Sequence, residues 1–135
     1  KKKVFSWLYN PKAKNKRLNE YIDRDTIYNQ YYVDGHVATP YDRKIEVDDS
    51  KALNYLIQST TSDMFLTSAI KVNKLLRNKK SFASFCIHDS LVLDFSLEDR
   101  DSLANISKIF SNTRFGDIKT NLSIGKDFGQ MRRVA

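Results

Sequence analysis

SFASFCIHDSLVLDF, residues 81–95, is the stretch whose reading decides the fold. Two apolar arms rich in strand-forming residues flank the polar trio His88, Asp89 and Ser90, the pattern of a β-hairpin with a tight turn. Immediately before it, Asp48, Asp49 and Ser50 offer N-cap oxygens for a long helix running to about Arg77. Leu53, Leu56, Ile57, Phe65, Ile70, Leu75 and Leu76 are its expected buried positions. The middle of that helix, Gln58 to Ser62, is small and polar, at a cost of a few tenths of a kcal/mol per Ser or Thr. Such a run implies close approach of another backbone, of protein or nucleic acid.

Working outward, His36 to Thr39 and Arg43 to Val47 read as two short strands, preceded by a turn at Asp34-Gly35. Upstream, Val4 to Tyr9 reads as a helix end stopped at Asn10-Pro11, and the apolar spacing from Arg17 to Tyr32 predicts one helix. Downstream, a helix is expected from Ser96 to about Asn112, with Glu98 and Asp99 in its first turn where the dipole favours acids. A last short strand is expected at Thr120 to Ile124. The sum is an α+β domain: an antiparallel sheet whose hairpin packs against the long helix and its flanking helices. Residues 1–33 read as an N-terminal helical segment and 34–135 as the main portion.

Composition narrows the classes. The 135 residues include 8 Phe, 7 Tyr and 1 Trp, enough for a core, with only 4 Gly and 2 Pro. No apolar run is long enough to span a bilayer, and the basic start lacks the features of a secretory leader. Cys86, the single cysteine, has no internal disulfide partner and no basic neighbour, and reads as a small core residue. These traits fit a cytoplasmic protein. The chain opens in mid-pattern without Met, as a fragment or processed form does. Its formal net charge is +7, with basic residues concentrated from Lys1 to Arg17 and at Lys126, Arg132 and Arg133, which suits a polyanionic partner or a solvated face.

Two features carry candidate chemistry. Asp89, with His88 beside it at the hairpin tip, is placed to reach a hard cation, since Mg²⁺ takes one or two carboxylates together with substrate phosphates; Asp and Ser are also ordinary turn residues. Lys51, Asn54, Gln58 and Ser62 follow helical spacing along one face. The Asn54 and Gln58 amides can donate and accept in a minor groove, or the four side chains simply line a solvated face. Asp63 reads as a salt-bridge or capping residue. Tyr28, Tyr31 and Tyr32 read as packing residues before base-stacking ones.

Taken in order, these segments resemble the C-terminal region of family A (polymerase I type) DNA polymerases, the phage-type members in particular. Asn54-x-x-x-Gln58-Ser59-Thr60-x-x-Asp63 is similar to the family's Arg-x-x-x-Asn-x-x-x-Gln-Gly-Thr-x-x-Asp helix. His88-Asp89 is similar to the motif C hairpin ending in Val-His-Asp-Glu. Gly35 to Lys44 is similar to the family's Gly-x-x-x-Thr-x-x-Gly-Arg-Arg segment. The resemblance implies a palm-subdomain fragment, preceded in 1–33 by the end of the fingers or a linker. By it, Asp89 is a metal-binding carboxylate for two Mg²⁺ ions and His88 contacts the primer terminus. Asn54 and Gln58 track the minor groove, Lys51 stands where the family has Arg, and Arg43 lies near the template–primer backbone.

The implied reaction is template-directed nucleotidyl transfer on primer–template DNA with a dNTP, in a bacterial or phage-infected cell. Three positions depart from the pattern: Ser90 for Glu, Asp42 for Gly and Ser59 for Gly. The motif A segment with the second metal Asp, and the fingers helix, have no counterpart between Lys1 and Ala135. The chain is therefore expected to need the missing N-terminal part as a partner and to be inactive alone. The alternative from a different class is a non-catalytic basic DNA-binding or assembly module. A metal phosphohydrolase site is disfavoured, because only two His are available and the His-Asp pair lies between strands.

Overall fold

The computed structural model describes residues 2–10 and 13–134; Pro11, at the expected helix stop, and the basic Lys1 and Lys12 lie outside them. The chain divides into two compact units, Lys1–Asp63 and Met64–Ala135. It is an α+β protein with small antiparallel sheets.

The first unit opens with α1 (Lys2–Tyr9), α2 (Lys16–Tyr21) and α3 (Arg24–Tyr31). The single helix expected from Arg17 to Tyr32 is thus two, and Asp23 is the reason. Its carboxylate accepts from the Thr26 amide at 3.0 Å and the Thr26 hydroxyl at 2.7 Å, capping a new helix. Those bonds hold the Asp23 carboxyl below its usual range. Asn15 caps α2 in the same way, through Leu18. Trp7, 2% exposed, anchors α1: its indole N–H donates to Asn19 Oδ1 at 2.8 Å. The Arg24 guanidinium donates to the Trp7 carbonyl at 2.7 Å and lies 5.4 Å from the indole centroid, a cation–π arrangement.

Strands β1 (Tyr32–Val33), β2 (His36–Ala38) and β3 (Lys44–Glu46) form a three-stranded sheet in that order. Asp34 at φ 51 and Gly35 at φ 76 make the two-residue link between β1 and β2, both in the left-handed region that such hairpin loops require. Helix α4 (Ala52–Leu75) follows, led in by a 3₁₀ turn at Asp49–Lys51. Val37, Ala52 and Leu56 form the buried cluster, with Ile27, Tyr28, Tyr31, Tyr32, Val47 and Leu53 packed on it. The three tyrosines are packing residues, as their helical spacing predicts.

The second unit is built on the later part of α4. β4 (Phe82–Ile87) and β5 (Ser90–Asp94) form the expected hairpin. A 3₁₀ segment, Leu97–Ser102, leads into α5 (Leu103–Ser111). Val72, Leu76 and Ile106 are the buried cluster, joined by Leu91 and Leu93 of β5 and by Phe95, Ile109 and Phe110, so the hairpin does pack on the long helix. Two further pairs are local: β6 (Asn112–Thr113) with β7 (Gly116–Asp117), and β8 (Ser123–Ile124) with β9 (Arg132–Arg133). Gly125 has no room for a side chain, since a Cβ there would sit 2.8 Å from the Gln130 carbonyl oxygen.

Three further expectations change. The one sheet read from the sequence is four small ones, because each run of strand residues closes on its nearest neighbour. Along α4, Ile57 and Ile70 are exposed, while Ala52, Ser68, Ala69 and Val72 are buried. The helix turns Ala52, Leu56, Ser68, Ala69, Val72 and Leu76 inward and leaves Ile57 and Ile70 on the other side. Cys86 is exposed rather than in the core, because it lies near the hairpin tip, outside the buried cluster. Among the described residues, no helix is long and apolar enough to cross a membrane.

A buried clamp closes the base of the hairpin. Asp99 Oδ2 accepts from the Ser81 amide at 2.7 Å, and Ser81 Oγ accepts from the Ser96 amide at 2.9 Å. The Ser81 amide bond is the main cause holding the Asp99 carboxyl below its usual range, against its burial. The folded state therefore binds this proton less tightly than the unfolded chain does. The stabilisation is complete above the ordinary carboxylate value, about pH 4, and is lost as pH falls through the lowered folded value. Asp99→Asn should lower the melting temperature at pH 7 and flatten its fall below about pH 4, measured by circular dichroism; an unchanged acid profile would remove Asp99 as its source.

Candidate functional site

Ile87 pairs with Ser90 as the last rung of the hairpin, so His88 and Asp89 alone make the turn. His88 takes φ 53, the left-handed region, which costs a residue with a Cβ about 1–2 kcal/mol. Asp89 is exposed, and among the described residues its carboxylate accepts only a long 3.5 Å bond from the Ser90 hydroxyl. Among the described residues no Lys, Arg or His forms an ion pair with it. No three His, Cys, Asp or Glu side chains converge there or elsewhere among those residues.

The other predicted residues belong to the first unit. Lys51 sits in the 3₁₀ turn, its ammonium 4.0 Å from Asp48. It faces an open cleft of about 540 Å³ lined also by Tyr32, Glu46, Asp49 and Tyr55. A neighbouring cavity of about 220 Å³ is lined by Leu8, Arg24, Tyr28 and Asp49 among others, and there burial and Asp49 raise the Tyr28 hydroxyl pKa. Gln58 is exposed on α4. Asn54 is half-buried, and its Oδ1 is fully enclosed without a hydrogen-bond partner among the described residues. Thr60 Oγ1, one and a half turns on, is in the same state. Asn54 and Gln58 therefore share a helix but not an environment.

The small polar middle of α4 has its reason here. Thr39, 4% exposed, opens the link between β2 and β3, and its hydroxyl accepts from the Tyr41 and Arg43 amides. The same hydroxyl donates to Asp63 Oδ2 at 3.1 Å. Arg43 completes the network, 3.2 Å from Asp63 Oδ1 and 3.3 Å from the Ser59 carbonyl. The link thus docks on the helix at Ser59 and Asp63, where larger side chains would hold it off. Asp63 is a salt-bridge residue, as its sequence context predicts, and Arg43 is held in place by it while remaining half exposed.

The sequence reading passed over the basic run Lys71, Lys74, Arg77, Lys79 and Lys80, all exposed, in a stretch without a single acid between Asp63 and Asp89. Charge counted in windows, rather than at the chain ends, would have found it. No protein-family model matches the chain, and neither does any curated protein or solved structure.

The left-handed His88 yields a direct test. Glycine adopts that conformation freely but loses more entropy on folding, so His88→Gly should gain about 0.5–1 kcal/mol. Urea unfolding measures it; a loss of stability would mean that the imidazole makes an interaction worth more than the strain.

Proposed function

We propose that the chain is the C-terminal palm portion of a DNA-directed DNA polymerase of the family A type, contributing one metal-binding carboxylate and primer–template contacts. The Thr39–Arg43–Asp63 network carries this reading. Thr39 and Arg43 come from one segment that resembles the family, and Asp63 from another, and the three meet through bonds of 3.1 and 3.2 Å. Residues matched on sequence pattern alone have no need to touch. Asp42 adds to this: it stands where the family pattern has Gly and takes φ 62, a conformation glycine adopts most easily.

Asp89 suits a hard cation, being exposed, free of ion pairs among the described residues and fixed on a two-residue turn. Bound Mg²⁺ supplies charge neutralisation at the transferred phosphate and a more acidic primer hydroxyl. One carboxylate supplies only part of such a site, and the second is assigned to a partner polypeptide. His88 orients the primer terminus beside Asp89. Gln58 donates to, and accepts from, minor-groove edges, which differ little between base pairs, so its grip does not depend on sequence. Asn54 has its amide carbonyl enclosed and is left to act through its NH₂ group. Arg43 and Lys51 face phosphates. Ser90, in place of Glu, provides a hydroxyl where the family has a second acid.

The alternative, a basic DNA-binding module without catalysis, draws on the lack of any convergent acid cluster among the described residues. Primer extension separates the two. The chain is mixed with a polypeptide supplying the family's second carboxylate and nucleotide-binding helix. Extension is expected from the wild type and a loss of about 100-fold or more from Asp89→Ala. Equal extension by both would sink the catalytic role of Asp89.

A further inference from the structure

We propose that the cavity of about 220 Å³ in the first unit binds a small organic cation, a primary ammonium carried on a short apolar body. The first observation is how the lining is divided. Leu8 of α1, Leu53 of α4 and Tyr28 of α3 are half-buried and give the cavity its apolar part. Asp25 of α3, and Asp49 and Ser50 of the 3₁₀ turn before α4, are exposed and place oxygens at its edge. Hydrocarbon inside and a few polar groups at the edge is the usual make-up of a small-molecule site.

The second observation is charge. Arg24, the cation among the lining residues, is already engaged. Its Nη1 donates to the Trp7 and Asn10 carbonyls at 2.7 and 3.1 Å, and its Nε lies 4.0 Å from Asp25. Asp49 has no such neighbour. It forms no ion pair among the described residues, and Lys51, two residues on, turns to Asp48 instead. Burial first, and then Asp49, raise the Tyr28 hydroxyl above its ordinary pKa, so the phenol stays neutral beside a charged carboxylate. Among the described residues that hydroxyl makes no hydrogen bond.

Size and charge then select the ligand. An apolar cavity of about 150 Å³ holds one benzene ring, so this one takes a single ring or short alkyl chain with a polar arm. An ammonium has three N–H donors and no acceptor. Asp49, Ser50 and Tyr28 offer the oxygens it needs. An anion would meet Asp25 and Asp49, together with Glu46 and Asp48 of the adjoining cleft that shares Asp49. The formal net charge of +7 opposes any cation at long range. Screening over about 10 Å at 0.1 M salt leaves the nearby carboxylates in control.

The test is an NMR titration of the full chain with benzylammonium, benzyl alcohol and benzoate at one ionic strength, following the Leu8 and Leu53 methyls. Benzylammonium should saturate with a Kd of about 1 mM, the range open to a fragment-sized ligand. Benzyl alcohol should bind at least about 10-fold more weakly, and benzoate weaker still. Asp49→Asn, an exposed and isosteric change, should weaken benzylammonium about 10-fold. Tyr28→Phe keeps the ring and should cost about 3- to 10-fold, with folding of both variants verified by circular dichroism. No saturation, equal binding of benzyl alcohol, or an unaffected Asp49→Asn would each overturn the proposal. The three-ligand comparison decides even if a variant fails to fold. The site uses neither Asp89 nor the amides of α4, so its failure leaves the polymerase reading standing, and the reverse.

Discussion

One helix contributes to both buried clusters among the described residues, and the rest of the structure answers to that constraint. Ala52 and Leu56 of α4 pack with Val37 in the first unit, while Val72 and Leu76 pack with Ile106 in the second. From Gln58 to Asp63 the helix is polar, and it is tied there by hydrogen bonds instead of by hydrocarbon. Asp63 does most of this, accepting from Thr39 and pairing with Arg43. A charge-assisted bond to a mostly enclosed carboxylate is stronger than one between neutral groups. It can hold a loop where small side chains leave little area to bury. Asn54 and Thr60 show the cost: each keeps one enclosed oxygen without a partner among the described residues, a deficit of about 1–3 kcal/mol per group.

The three turns among the described residues that carry a left-handed non-glycine residue differ in what they accomplish. Asp34-Gly35 meets the demand of a two-residue hairpin with residues suited to it. Asp42 bends the link that carries Thr39 and Arg43 to α4. His88 answers the same demand, as the first residue of the two-residue turn between Ile87 and Ser90, and its strain is paid at the tip that presents Asp89. Strain of this kind persists where surrounding structure over-determines it. Here the determinants are the five rungs from Phe82–Asp94 to Ile87–Ser90, with Leu91 and Leu93 anchored in the core.

Much of the candidate site was legible because it is local. The apolar–polar–apolar pattern around His88-Asp89 predicts the hairpin and its turn, and the helical spacing of Asn54 and Gln58 places both on α4. What local pattern missed was long-range or directional. Nothing near Asp99 announces that it will accept from Ser81, 18 residues back, and so it read as an ordinary first-turn acid. Asn54 and Gln58 looked equivalent by spacing, yet burial separates them. The bulge at Ser84, between the Ala83–Leu93 and Phe85–Val92 pairs, was invisible to a reading in strict alternation, although it decides which face Phe85 occupies.

By itself, the sequence determined the α+β class, the hairpin and the long helix, since each rests on periodicity, turn chemistry or spacing within a few residues. Only the tertiary structure decided that four small sheets form in place of one, that Cys86 and Ile70 face outward, and that Thr39, Arg43 and Asp63 meet. The reason is physical. A short strand or an amphipathic turn states its preference locally, whereas burial and pairing depend on which distant surface arrives to compete for the same side chain.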